Sequence, residues 1–242
     1  KQVQNDVFGA AVLASTHAFF DSRLERPAGR QMFADLERLG QQAVRVYQEP
    51  DAGIWELRGT RRVHTFSTLM CWAACDRLAS IARRLRLHTR ASHWLREADT
   101  VRKAIVDHAW NPELGSFVST FGGDRLDASL LLMGEFQFLA TDDPRFIGTL
   151  RAVERHLQRG DFLLRYDEED DFGRPDAAFL VCTLWWILAL AQTGEKARAR
   201  ALFEKVLSRR NHLGLLSEDV SLDGTQLWGN FPQRSEEHTS EL

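Results

Sequence analysis

Hydrophobic residues recur at helical spacing along almost the whole chain, and no alternating strand of useful length interrupts them. Glycine, proline and polar segments divide the pattern into helices of ordinary length. An all-α fold class is therefore predicted. The predicted helices cover residues 3–24, 30–48, 66–87, 92–110, 128–139, 144–160, 177–193 and 195–209.

The predicted helices differ in character in a regular order. The third, fifth and seventh are nearly all apolar, whereas the fourth, sixth and eighth carry many arginines and glutamates. A helix that is apolar all round is buried, and an amphipathic helix covers it. This alternation favours inner and outer rings of helices. A helical solenoid is the competing architecture, but the chain shows no motif repeated at a fixed period.

Composition and charge exclude several classes of protein. The 242 residues are 44% hydrophobic and 27% charged, which argues against a disordered or fibrous chain. A net charge of −3 gives no basic field for nucleic acid or an anionic membrane. The longest apolar run, at 177–191, is shorter than the roughly 20 residues that span a bilayer.

The chemistry-bearing motifs of many cofactor and metal enzymes are absent from the sequence. There is no glycine-rich phosphate motif, no GxSxG and no HExxH, and the histidines are scattered, so neither cofactor nor metal is expected. The odd cysteine count and the lack of a CxxC make a disulfide framework unexpected. Cys71 and Cys75 lie one turn apart in an apolar helix, which is typical of core residues.

Both ends of the sequence are unusual. Residues 234–242 change abruptly in composition and correspond to the in-frame translation of a common sequencing adapter, so a non-native tail is predicted there. The chain begins without an initiator methionine or an evident helix cap. These features favour an internal fragment of a longer protein.

Three polar loops carry candidate functional residues. In the first, Trp55 precedes Glu56 between glycines, and an indole beside a carboxylic acid suits a sugar site; a surface glutamate beside a core tryptophan is the alternative. In the last, Glu218 or Asp219 could point inward or form a solvated acidic turn. The middle loop offers Arg165, whose guanidinium can clamp hydroxyls, and an acidic run at 167–171 that suits either a hard cation or a solvated face.

Taken together and in this order, these segments resemble the glucoamylase-like family, glycoside hydrolase family 15. The resemblance covers about residues 3–233 and implies an (α/α)6 barrel of twelve helices, of which this chain would hold about eight. Residues 1–233 would then be a partial catalytic barrel. The segments that carry it are PDAGIWELRG at 50–59, STLMCW at 67–72 with Asp76 and Arg77, LDAS at 126–129, Arg165 with Tyr166, EDDFGRP at 169–175, FLVCT at 179–183, GLLSE at 214–218 and GNFPQ at 229–233.

The resemblance implies an exo-acting α-glucoside hydrolase that releases glucose from non-reducing ends with inversion. Glu56 would be the general acid and Glu218 the general base, with carboxyl groups about 6.5–9.5 Å apart to leave room for water. The partner would be a disaccharide or oligosaccharide, and glucoamylase and trehalase types stay open. The implied substrate contacts are Trp55, Arg58, Trp72, Arg165 and Tyr166.

The sequence also departs from the family pattern. Leu57 stands where the fungal branch has a second glutamate, and the early Trp-x-Arg-Asp motif has no counterpart. A barrel without its first helices is open, so the chain as given is expected to be weakly active or inactive. Its compartment is expected to be cytoplasmic. The alternatives are a helical scaffold for a protein partner and a sugar epimerase or phosphorolytic enzyme on a similar barrel.

Overall fold

The computed structural model describes residues 3–57, 61–170 and 173–232, and it is mostly helical. The chain divides into two compact units, Lys1–Trp110 with Thr120–Gly123 and Asn111–Ser119 with Asp124–Leu242, called here unit 1 and unit 2. Within the described ranges the α-helices are α1 (Val7–Phe20), α2 (Arg30–Val46), α3 (Thr65–Arg84), α4 (His88–Ala109), α5 (Leu132–Glu135), α6 (Pro144–Leu157), α7 (Leu180–Gln192) and α8 (Lys196–Leu207).

Unit 1 is built around α3, which is buried along most of its length, as its apolar sequence predicts. Helices α1, α2 and α4 pack against it. Helix α2 approaches α3 and α4 closely at Gly40, where an added Cβ would lie 2.3 Å from Leu78 and 2.6 Å from Trp94. The Trp94 Nε1–H donates to the buried carboxylate of Glu37 at 2.8 Å, which ties α4 to α2.

Unit 2 has α7 as its buried helix, covered by α8. Its outer helices are also held through a tryptophan and a glutamate: Trp186 Nε1–H donates to Glu154 at 2.8 Å, and Arg198 pairs with that carboxylate at 2.7 Å. A buried carboxylate with several donors keeps its hydrogen bonds satisfied, so it fixes the mutual orientation of the helices.

Short strands shape the loops. A hairpin joins β3 (Gln158–Arg159) to β4 (Phe162–Leu163), and β1 (Trp110–Asn111) pairs with β2 (Ser116–Phe117). In unit 2, β5 (Ala177–Phe179), β6 (Asp219–Ser221) and β7 (Leu227–Trp228) form an antiparallel sheet. The register places Asp219 opposite Phe179 on one side and opposite Trp228 on the other. This sheet brings the final loop of the chain to the start of α7.

The prediction of a mostly helical chain is confirmed, but several predicted helices have other bounds. The first covers Val7–Phe20 rather than 3–24, and the fourth begins at His88 rather than 92. Residues 128–139 form a 3-10 turn at Ala128–Leu131 and the short α5, because Asp127 caps the Ser129 N–H at 2.9 Å and the chain turns at Gln137, whose φ is +61°. The seventh helix begins at Leu180 rather than 177, since the preceding residues pair with β6. No helix among the described residues has the length and apolar character needed to cross a membrane.

Candidate active site

The predicted general acid lies on a tight turn of unit 1, formed by residues 52–57 and called here the acid turn. The Leu57 N–H donates to the Ala52 carbonyl at 3.1 Å, and the Glu56 N–H donates to the Gly53 carbonyl at 3.2 Å. Glu56 has a φ of +53°, a left-handed conformation that is uncommon for a residue with a side chain. The turn leaves the Glu56 side chain exposed and Trp55 half-buried.

Buried Asp51 holds the base of the acid turn. Its Oδ2 accepts hydrogen bonds from the Asn5 N–H at 2.8 Å and the Ser67 hydroxyl at 2.7 Å, while Oδ1 accepts from the Gly53 N–H at 3.2 Å. Its backbone also pairs with Arg62 in both directions. One carboxylate therefore links the N-terminal segment, the acid turn and the first turn of α3.

Two further titratable groups lie beside the acid turn. Burial raises the pKa of the Asp6 carboxyl, and the negative charges of Asp51 and Glu56 raise it further, so Asp6 lies within electrostatic reach of the predicted acid. His64 packs under Gly53, where an added Cβ would meet its ring at 2.8 Å. Burial lowers the pKa of His64, which makes it a neutral ring at pH 7.

Trp72 and Arg58 are the other two predicted substrate contacts in unit 1. Trp72 is only 2% exposed, and the Arg102 guanidinium lies 4.8 Å from its ring centroid. This indole packs in the core of unit 1, and its contact with substrate stays a prediction. Arg58 lies outside the described residues.

In unit 2, Arg165 and Tyr166 follow β4. The Arg165 carbonyl accepts from the Ala128 N–H at 2.9 Å, and Tyr166 forms a backbone bridge with Asp127, so the segment is held against the 3-10 turn. The Arg165 guanidinium lies 5.3 Å from the Tyr166 ring centroid. The Tyr166 hydroxyl donates to Asp170 at 2.5 Å, and burial raises its pKa, so this phenol stays neutral and well anchored.

Glu218 lies at the edge of the β5–β6–β7 sheet, where its carbonyl accepts from the Leu180 N–H at the start of α7 at 3.0 Å. Its carboxylate accepts two hydrogen bonds from Asn230. Burial raises the pKa of the adjacent Asp219 to about 6; Arg165 opposes this rise, and Glu218 and Asp176 add to it. The structure therefore brings Arg165 within electrostatic reach of Asp219, next to the predicted base.

A cation site at the acidic run is not supported by the part of the chain that the structure describes. No group of three or more histidine, cysteine or acidic side chains in that part could hold a metal ion, and Asp171 of the run lies outside it. All three cysteines are buried free thiols, and burial raises the pKa of each, which makes them inert core residues.

The predicted site residues are divided between the two units, and the group in each unit is called here a half-site. Unit 1 carries Glu56 and Trp55, and unit 2 carries Glu218, Arg165 and Tyr166. The separation of the Glu56 and Glu218 carboxyls stays a prediction. Sequence reasoning did not predict the supporting roles of Asp51 and Asn230, although both lie in the motif segments, because the hydrogen bonds to Asn5, Ser67 and Glu218 join positions that are 46, 16 and 12 residues apart. The hydrogen-bonding partners in each half-site are therefore known from the structure and not from the sequence.

Comparison with known proteins shows the family to which the chain belongs. The family model described as "Glycosyl hydrolases family 15" matches residues 1–235. The chain is 35% identical over 235 residues to a trehalase of Mycobacterium tuberculosis, covering 96% of this chain and 34% of the relative. It is 32% identical to a trehalase of Thermoplasma acidophilum, covering 96% of this chain and 40% of that protein.

Solved structures share the fold. A structure described as "Glycosidase E335A in complex with glucose" aligns with a TM-score of 0.78 at 19% identity, over 96% of this chain and 62% of the other. A glucoamylase from Saccharomycopsis fibuligera aligns with a TM-score of 0.73 at 11% identity, over 95% of this chain and 67% of the other. The chain spans little more than a third of the length of the curated trehalases that it matches.

Proposed function

We propose, from the premise that the chain belongs to glycosyl hydrolase family 15, that it supplies both catalytic carboxylates of an inverting α-glucoside hydrolase. The trehalase relatives favour α,α-trehalose as the first substrate to test. We further infer that its helices form part of an (α/α)6 barrel.

The observation that carries the proposal is the acid turn. An exposed glutamate stands in a left-handed conformation on a turn that a fully buried aspartate ties to two other segments. Sparsely populated backbone conformations persist when the surroundings enforce them, and they cluster at functional sites. A solvated surface glutamate requires no such support, so the construction favours a carboxyl group held for chemistry.

The proposed reaction assigns one role to each carboxyl group. Glu56 donates its proton to the glycosidic oxygen as the bond from that oxygen to the anomeric carbon breaks. Glu218 accepts a proton from the water that attacks the same carbon from the opposite face, which inverts its configuration. Arg165 would hold sugar hydroxyls through its fork of donors, and Trp55 would offer its indole face to the ring.

The test is product stereochemistry followed by ¹H NMR at early times. From α,α-trehalose, an inverting enzyme releases equal amounts of α- and β-glucose, because only the attacked anomeric carbon changes configuration. A retaining enzyme releases α-glucose alone. The assay is run on the chain itself, for which weak activity is expected, and on a hybrid in which the chain replaces the matching 235 residues of the Mycobacterium tuberculosis trehalase. Maltose and isomaltose are compared with trehalose to assign the linkage.

Variants then test the two roles. Glu56→Gln and Glu218→Gln should each lower kcat by about a hundredfold or more, the usual contribution of a general acid or base. The matched controls are Glu49→Gln in unit 1 and Glu113→Gln in unit 2, both exposed glutamates, and they should keep the activity of the unsubstituted protein. Full activity in both catalytic variants would overturn the roles assigned to Glu56 and Glu218, whereas a lack of activity in both the chain and the hybrid would favour the helical scaffold. Full activity of the chain alone would contradict the expectation that it is incomplete.

A further inference from the structure

The most specific contact of the second half-site joins Glu218 to a residue twelve positions later. Its carboxylate Oε2 accepts the backbone N–H of Asn230 at 3.0 Å and the side-chain Nδ2–H at 2.8 Å. The Glu218 N–H in turn donates to the Asn230 carbonyl at 3.0 Å. Three hydrogen bonds between one pair of residues fix both the backbone and the carboxyl group of the glutamate.

The residue before Asn230 shows how closely the two segments approach. Gly229 has a φ of +79°, and an added Cβ would lie 2.7 Å from the Glu218 Cβ and 2.8 Å from its Oε2. Only glycine gives both this conformation and this space. The turn at Gly229 therefore lets the two N–H groups of Asn230 reach the same carboxylate oxygen.

We propose that Asn230 is the positioning residue for the general base, holding Glu218 through Oε2 so that the carboxyl plane is fixed toward the attacking water. The catalytic meaning of this contact rests on the proposed function. A base must be held within about half an ångström of its productive position, and a side chain with one oxygen tied at two points cannot rotate freely. Asn230 does not touch the substrate in this role.

The charges around the pair explain why neutral donors are suitable there. Three charged groups affect the pKa of Asp219. Arg165, which follows β4, lowers it, whereas the carboxylates of Glu218 and of Asp176, which precedes β5, raise it. A carboxylate in this acidic surrounding gains from two neutral N–H donors, which compensate its charge without a second cation beside the sugar site.

The first experiment tests the contact in the chain itself, labelled with ¹⁵N. Glu218→Ala should shift both the backbone and the side-chain amide resonances of Asn230, because both donate to the removed carboxylate. The amide of Leu114, which donates to the Asn111 side chain at 3.1 Å elsewhere in unit 2, should not move. Unchanged Asn230 resonances would overturn the proposal.

The second experiment tests positioning through Asn230→Ala and Asn230→Asp. The alanine variant removes one donor to a charged group, so kcat should fall about tenfold with KM changed less than about threefold. The aspartate variant has the same shape but places a second carboxylate beside Glu218. Because two adjacent carboxylates share a proton, the acidic limb of its kcat profile should move upward by about one pH unit or more. Asn111→Ala is the control and should leave the profile in place.

The pH effect can also be followed without catalysis. In the Asn230→Asp variant, the amide of residue 230 should change its shift with a midpoint at least about one pH unit above that of the unsubstituted chain. The outcomes separate the two hypotheses. Activity that survives Glu218→Gln overturns the proposed function, while the amide experiments still test the contact. Activity lost in Glu218→Gln but unchanged in both Asn230 variants overturns the positioning role.

Discussion

Replacing Asp219 by asparagine should stabilise the folded chain at neutral pH. Asp219 lies in the central strand of the β5–β6–β7 sheet, and its burial is the main reason that its pKa rises from 3.8 to about 6. Arg165 opposes the rise, and the neighbouring carboxylates add to it. The folded state therefore holds a proton on Asp219 more tightly than the unfolded state does.

The direction of the pH effect on stability follows from the linkage between proton binding and folding. The energetic cost of an ionised Asp219 is absent below the unfolded pKa of 3.8, increases as pH rises toward about 6, and is fully present above that value. One pKa unit corresponds to about 1.4 kcal/mol, so the rise to about 6 would amount to ~3 kcal/mol without screening. Since the side chain is only half-buried, solvent screening reduces the expected effect to about 1–2 kcal/mol.

The assay is urea unfolding of the chain and the Asp219→Asn variant at several pH values from 4 to 8, followed by circular dichroism. The unfolding free energy of the variant minus that of the unsubstituted chain should increase by about 1–2 kcal/mol between pH 4 and 7. Any effect of the asparagine amide itself is the same at every pH and does not change this increase. Asp223→Asn is the control of opposite sign. The Ser221 hydroxyl and Thr225 lower the pKa of Asp223 to about 2, so its loss should destabilise the fold equally at all pH values above 5. A difference for Asp219→Asn that does not change with pH would refute the reasoning.

Two further substitutions probe the supports of the half-sites, and a third probes the contact between α2 and α4. Asp51→Ala leaves three donors without their acceptor and should cost about 3 kcal/mol or more in urea unfolding, with disorder of the acid turn visible as increased amide exchange. Gly229→Ala forces a Cβ against Glu218, so it should lower kcat at least as much as Asn230→Ala does. The same substitution should lower the free energy of unfolding by about 1–2 kcal/mol. An unchanged kcat would contradict the close approach of the two segments. Glu37→Ala removes the acceptor of the Trp94 Nε1–H and should cost about 3 kcal/mol, detected as a lower urea midpoint.

The fold could be predicted from sequence where local pattern decides it. The apolar runs that form α3 and α7 show burial directly, and their helices lie where the hydrophobic period places them. The wrong predictions concern residues that pair with a distant part of the chain or that lie at the start of a helix. Residues 177–179 have a helical composition, but they pair with a strand that arrives about forty residues later, and no window around them contains that partner. At residues 128–131, a single aspartate cap replaces the expected helix start with a 3-10 turn.

The candidate site divides in the same way. Glu56 and Glu218 could be named because their motifs are short and continuous in sequence. Their supports could not, since Asp51 acts through Asn5 and Ser67, which are separated from it by 46 and 16 residues. Trp72 shows what a motif leaves out: its position in the motif predicts a substrate contact, whereas its exposure of 2% is set by how α3 packs.

The acid turn differs from other places where the chain adopts the same backbone pattern. Among the described residues, Arg86 and Gln137 also have positive φ without being glycine, and each follows the end of a helix. At each of these two positions, the N–H of the residue and the N–H of the next residue donate to carbonyl groups of the preceding helical turn, which the end of the helix would otherwise leave without a donor. Glu56 makes the same pair of bonds, but its turn ends no helix. Helix termination cannot account for the left-handed residue in this turn. The turn leaves the Glu56 side chain exposed above a base that Asp51 holds through three hydrogen bonds, as the proposed role of general acid would need.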